Sequence, residues 1–211
     1  MTKMTRNKRT PASGKVVIFD LGNVVLDWNI ERILGSLEAE AEAIHHLRNE
    51  LFIHQNWLDL DHGKESEASV VSKVCANSPL SKRTVEQALL AAKNSLEPIE
   101  ESVALLREIS DRGIAMYCLS NMSRETWAHI RGHALFDLFS GIVISGIERC
   151  MKPDEAIFHL ILGRYDLDPA HTLFIDDSLP NIETAERLGT HVHHFKRSRD
   201  CYAGIRAFLF E

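Results

Sequence analysis

The stretch Lys15–Asp27, KVVIFDLGNVVLD, constrains the fold of this chain more than any other. Val16 to Phe19 is an unbroken apolar run, β-branched at three of its four positions. Such a run predicts a central parallel strand buried on both faces. It ends at a carboxylate, Asp20, and Gly22 and Asn23 follow at once, where the chain can turn sharply. A carboxylate at the carboxyl end of a central strand lies where open α/β sheets bind ligands. Taken alone, Asp20 reads equally well as the start of a turn.

The sequence that follows changes character. From Asp27 to about Leu96 no strand pattern occurs, and Ile30, Ile33, Leu34 and Leu37 recur at helical spacing in a run that continues to Leu51. Asp61-His62-Gly63 reads as a turn. Ser66–Cys75 and a segment from Ser81 or Thr84 through Ala92 read as helices, separated by Ser78-Pro79. Strands and helices alternate again after Pro98. Ile114–Leu119, Ile142–Ile144 and Leu173–Ile175 are the apolar runs, His191–Phe195 is a candidate fifth strand, and Gly113 and Gly189 stop the helices before the first and the last of these segments. Pro153 is expected to open a helix reaching Arg164. The expected fold is α/β: a Rossmann-like parallel sheet flanked by helices, with a small helical cap inserted after the first strand. Residues 15–26 and 97–211 form the expected core, 27–96 the cap, and 1–14 a flexible basic tail.

Composition excludes several classes. An apolar fraction of 45% and a charged fraction of 26% are those of an ordinary globular chain. A net charge of -6 argues against a nucleic-acid partner, and no apolar stretch approaches the length of a membrane span. The first residues lack the apolar core of an export signal. Cys75, Cys118, Cys150 and Cys201 are widely spaced and form no CxxC pair, so a reducing, cytoplasmic setting is expected. A monomer or weak homodimer is expected.

Polar residues collect where the strands stop: Asp20, Ser120-Asn121 and Asp176-Asp177, with Lys152 just before a helix. Crowded carboxylates repel one another unless neutralised, and a hard divalent cation such as Mg²⁺ takes oxygen ligands. Ser and Asn can bond phosphate oxygens, and Lys adds positive charge. The set suits phosphoryl transfer to a carboxylate nucleophile.

Four segments, FDLGNVV, LSNMS, CMKPDEAIF and FIDDSLPNIETA, resemble in order and spacing the four motifs of the haloacid dehalogenase-like hydrolase superfamily. DLGN followed by KPxxxIF and IDD is most similar to small phosphatases of the alpha-D-glucose-1-phosphate phosphatase type. The resemblance implies that Asp20 is the nucleophile and carries an aspartyl-phosphate intermediate. It implies a Mg²⁺ ion held by Asp20, the Gly22 carbonyl and Asp177, with Asp176 acting through water or from behind. Ser120, Asn121 and Lys152 would hold the phosphoryl group of a small phosphorylated metabolite, a sugar phosphate such as glucose 1-phosphate, and Lys152 would also moderate the charge on Asp20.

One position departs from the pattern. Most phosphatases of the superfamily carry an acid–base Asp two residues after the nucleophile, where this chain has Gly22. The missing step is one usually worth about 10²–10⁴-fold. For the base that activates water to dephosphorylate Asp20, the sequence suggests a cap histidine or a water held by Asn23. A leaving group that needs no added proton, such as the anomeric oxygen of a sugar 1-phosphate, would suffer least. Two other readings stand beside this one. A haloacid dehalogenase also uses an aspartate and needs no leaving-group acid, although it has no use for the Asp176-Asp177 pair. A non-catalytic phosphometabolite-binding protein would have little use for clustered carboxylates. Trp28, His54 and Trp57 either face a substrate from the cap or pack at its joint with the core. His191, His193 and His194 read as an edge strand or, less simply, as a metal tract.

Overall fold

The computed structural model describes residues 14–211, so the tail expected over 1–14 lies, but for Gly14, outside the described residues. Val16–Phe19 forms β1, buried at all four positions. The remaining strands are β2 (Ala115–Ser120), β3 (Gly141–Ile144), β4 (Thr172–Asp176) and β5 (His191–His194). Every pair is parallel, and the order is β3-β2-β1-β4-β5. The chain winds outward from β1 to β3, then returns to the other side of β1 to lay down β4. Strand order therefore reverses between β1 and β4, the switch point where such sheets open a crevice beyond their carboxyl ends. Asp20 and Asp176 stand at its two lips.

Between β1 and the next core helix lie five helices: α1 (Ile30–Gly35), α2 (Ala41–Leu47), α3 (Gln55–His62), α4 (Glu67–Asn77) and α5 (Lys82–Asn94). Ile33, Leu47, Leu51, Val70, Val74, Val85 and Leu89 are buried against one another in a cluster separate from the sheet's. Each such side chain is worth about 1.5–3 kcal/mol relative to exposure, so the insertion has cohesion of its own. The expected run to Leu51 is not one helix. Ser36 ends α1, bonding the Ile33 carbonyl through Oγ at 2.7 Å, and a π-helical turn over Arg48–Phe52 follows α2. The insertion leaves and returns along paired chain segments: Asp27 N–H donates to Glu97 O at 2.8 Å and Ile99 N–H to Val25 O at 2.9 Å.

The core helices are α6 (Glu100–Asp111), α7 (Arg124–Ile130), α8 (Ser145–Glu148), α9 (Glu155–Tyr165), α10 (Leu179–Arg187) and α11 (Arg199–Phe210). Strand alternation sends Val17 and Phe19 to one face of the sheet, where Leu105, Ile109, Ile205 and Leu209 from α6 and α11 cover them. Ile18 points to the other face with Phe174, covered by Ile157 and Ile161 of α9 and Ile182 of α10. Pro153 does not open α9. Asp154 does, its side chain accepting the Ala156 N–H at 2.9 Å, because a capping carboxylate satisfies a first-turn donor that proline cannot. Among the described residues no helix is long and apolar enough to cross a membrane.

Candidate active site

Asp20 follows β1 directly and is buried, its backbone N–H donating to Ile175 O of β4 at 2.9 Å. The ladder thus continues one residue past the strand and fixes the carboxylate over the switch point. Lys152, 2% exposed, reaches it from the loop between α8 and α9. Its Nζ lies 2.8 Å from Asp20 Oδ1 and 2.6 Å from Asp176 Oδ2. A buried charge costs several kcal/mol unless paired. Burial alone would push the lysine pKa down, but Asp20 and Asp176 together outweigh it and hold the ammonium above the usual lysine range. Lys152 stays charged.

Asn121 does not leave its side-chain amide free for a ligand. Its Oδ1 accepts the Lys152 N–H at 2.9 Å and its Nδ2 donates to Lys152 O at 2.8 Å. The loop after β2 thereby clamps both backbone groups of the lysine, and the amide sets where the ammonium sits. Ser120, the last residue of β2, is buried next to this loop.

Asp176 is fully engaged. Oδ1 accepts the Ser178 N–H at 2.8 Å and Asn181 Nδ2 at 3.0 Å, while Oδ2 takes Lys152 and Asn181 at 3.1 Å. Asp177 is the least enclosed of the three acids and accepts one side-chain bond, from Asn23 Nδ2 at 3.2 Å. Burial, then the neighbouring Asp176, pushes its pKa up. Asn23 has a left-handed backbone, φ 54°, and its Oδ1 also accepts the Trp28 N–H at 3.2 Å. It ties the loop after β1 both to Asp177 and to the start of the insertion.

Burial pushes the Asp20 pKa up to about 7; Lys152 opposes this, and Asp176 and Asp177 add to it. Three carboxylates face one lysine, so the site is short of positive charge. Oxygens of Asp20, Asp176 and Asp177 lie within 4.8 Å of one another. A set of hard oxygen donors with uncompensated negative charge fits Mg²⁺.

The insertion contributes a residue to which the sequence assigns only a place in a turn. Asp61-His62-Gly63 is the end of α3 rather than a free turn, and Gly63 closes the helix with φ 76°. A Cβ on Gly63 would lie 2.3 Å from Gly146 O, so only glycine lets α3 meet α8 this closely. Ser145 Oγ bonds the Asp61 carbonyl and accepts the Met122 N–H at 2.9 Å. The backbone N–H of Ser123 and the Trp57 side chain, one helical turn earlier on α3, lie near the Asp61 carboxylate and favour its charged form. Burial pushes its pKa up to about 7, and the Asp20 charge adds to the rise. The legible signal was Trp57 and Asp61 at i and i+4, just ahead of a glycine; only the fold shows that they face the core.

Four histidines, His54, His191, His193 and His194, do other work. His54 caps α3, its Nδ1 accepting the Asn56 N–H at 3.2 Å. On β5, an edge strand, His191, His193 and His194 lie against the Ala170 carbonyl, Cys201 Sγ and the Asp177 carbonyl at 3.1, 3.0 and 3.0 Å. Three divergent partners do not make one metal centre. Trp28 and Trp57 stack with ring centroids 5.1 Å apart, and Phe52 adds to Trp57 at 5.2 Å.

Residues 15–189 match the haloacid dehalogenase-like hydrolases, a span that takes in β1, the insertion, Lys152 and the Asp176-Asp177 pair. The chain belongs to that hydrolase family. Within this haloacid dehalogenase-like group, a sesquiterpene phosphatase from Aspergillus oryzae is 28% identical over 177 residues, covering 83% of this chain and 86% of the other. A predicted hydrolase of the family from Porphyromonas gingivalis superposes with a TM-score of 0.76 at 26% identity, covering 93% of this chain and 98% of that one. A family enzyme from Bacteroides thetaiotaomicron, solved with magnesium and inorganic phosphate, gives a TM-score of 0.74 at 21% identity over 93% of this chain and 99% of that one. A haloacid dehalogenase-like hydrolase it therefore is, in sequence and in fold.

Proposed function

We propose that the chain is a Mg²⁺-dependent phosphatase of small phosphate monoesters. The carrying observation is the buried Lys152 held between Asp20 and Asp176, with Asp177 beside them. Asp20 is the nucleophile, and its carboxylate oxygen displaces the ester oxygen to give an aspartyl phosphate. Bound Mg²⁺, held by Asp20, Asp177 and the Gly22 carbonyl, would supply the positive charge the acids lack and draw the phosphoryl oxygens into place. Asp176 fixes Lys152 and Ser178 rather than the ion. Lys152 and Ser120 hold the phosphoryl group, and Asn121 acts by holding Lys152. The insertion over 27–96 serves as the cap, excluding water and shaping the space for the leaving group.

Two substrate classes follow from different observations. The DLGN motif and its resemblance favour sugar phosphates such as glucose 1-phosphate. The similarity to a sesquiterpene phosphatase, with Trp28, Trp57 and Phe52 stacked on the insertion, favours an apolar leaving group instead. One screen separates them: phosphate release from glucose 1-phosphate, glucose 6-phosphate and a prenyl phosphate, with Mg²⁺ and with chelator. Release that needs Mg²⁺ is expected. No release from any ester, or equal release in chelator, removes the proposal. The ranking of the esters chooses between the classes.

A further inference from the structure

The leaving oxygen needs a proton, and Gly22 stands where the usual donor would be. The insertion brings a carboxyl to the loop that follows β2, alongside Asp20. We infer that Asp61 is the proton-transfer group of this site, giving a proton to the leaving oxygen and later taking one from water; the inference rests on the phosphatase reading above.

Geometry carries it. Ser145 Oγ bonds the Asp61 carbonyl and accepts the Met122 N–H, which sets Asp61 at the loop where β2 ends, next to the strand bearing Asp20 and near the Ser123 N–H. It is close enough to Asp20 for the two charges to act on each other. Its backbone is pinned from the core side by Ser145 and by the Gly63–Gly146 contact. Group placement of this quality is what proton transfer in a transition state requires. The residue as a whole is half-buried. A carboxyl with a pKa of about 7 is present in both protonation states near neutrality, as a group that is first acid and then base must be. Two of the insertion's histidines are engaged elsewhere: His54 caps α3, and His45 pairs with Asn49 at 3.1 Å.

The steps balance. An Asp20 oxygen bonds to phosphorus as the phosphorus–oxygen bond to the leaving group breaks, and protonated Asp61 passes its proton to that oxygen. The alcohol leaves, with Asp20 phosphorylated and Asp61 ionised. Asp61 then takes a proton from water as the water oxygen bonds to phosphorus and the bond to Asp20 breaks. Inorganic phosphate leaves, and both carboxyls return to their starting states.

The test measures kcat/KM for the parent and Asp61→Asn, both with Mg²⁺, on aryl phosphates from p-nitrophenyl to phenyl phosphate. Nitrophenolate leaves without help, whereas phenolate is a stronger base and needs the proton. Asp61→Asn should lose about 10²–10⁴-fold on phenyl phosphate and far less on p-nitrophenyl phosphate. With the latter it should also show a burst of nitrophenolate, because the aspartyl phosphate lacks a base for its hydrolysis. Asp61→Glu should recover part of the loss on phenyl phosphate. A loss equal across the series, without a burst, overturns the inference and leaves Asp61 a structural residue. Should Asp61→Asn fail to melt cooperatively, the leaving-group slope of Asp61→Glu decides, and a slope equal to the parent's overturns it. A parent inactive on every ester would remove the phosphatase reading itself.

Discussion

Asp20 is placed at a cost to the fold, and that cost can be measured. Its carboxyl is pushed up to about 7 by burial, so the folded state disfavours the charge that the unfolded chain carries freely. Where a folded pKa is raised, the stability contribution is fully present below the unfolded value. It is lost as pH rises toward the folded one. In metal-free protein, Asp20→Asn should therefore melt higher than the parent at pH 8, with the advantage shrinking toward pH 4. Melting curves at the two pH values check this, and a variant less stable at pH 8 would mean that the bond to Lys152 outweighs the burial. The same substitution should abolish turnover, since an amide is a poor nucleophile toward phosphorus. Gly22 is a second residue with a clear test. A Cβ there meets nothing within 4 Å, and its backbone is not left-handed, so Gly22→Asp should fold. It should restore a loss caused by Asp61→Asn more on phenyl than on p-nitrophenyl phosphate; no rescue would mean that position 22 cannot reach the leaving oxygen. With Asp61 supplying the proton, a missing acid at Gly22 is no longer a reason to favour sugar 1-phosphates, and that preference rests on the motif resemblance alone.

Among the elements, the contact between α3 and α8 does most to join the insertion to the site. Gly63 faces the Gly146 carbonyl, and a Cβ on Gly146 would in turn lie 2.7 Å from Met122 O. Backbone therefore meets backbone on both sides, with no flexible side chain to yield. Gly63→Ala adds a methyl against a carbonyl and also strains a left-handed residue, so α3 must shift outward. The expected outcome is a loss of at least about tenfold in kcat/KM on poor leaving groups, by displacement of Asp61, with Mg²⁺ affinity kept. Activity by assay and Mg²⁺ binding by calorimetry check it; parallel loss of both would place the contact in general stability. This junction was not legible in the sequence. Periodicity identifies α4 and α5 from their apolar spacing and serine caps, yet it says nothing of which helix end touches α8, 84 residues further along the chain. Asp61-His62-Gly63 looked like a turn because Asp and Gly are common turn residues, and the close approach that requires Gly63 is purely tertiary. Pro153 misled for a related reason, since Asp154 beside it was the stronger cap.

For the molecule as a whole, the sheet was legible because β1 and β4 are apolar runs buried on both faces, a pattern that few other arrangements allow. The carboxylates at the strand ends were legible because the end of a buried run fixes where the next residue lies. The role of Asn121 was not, since its partner is the backbone of Lys152, 31 residues on. The proposed function turns on phosphoryl transfer to one buried aspartate at the switch point between β1 and β4. The most direct measurement is to quench the protein with acid during turnover of p-nitrophenyl phosphate with Mg²⁺, reduce it with borohydride, and map it by peptide mass. Reduction of an aspartyl phosphate leaves homoserine, and homoserine at position 20 is the predicted result. Phosphate release with Asp20 unmodified, or a phosphoryl group trapped on another residue, would contradict the account.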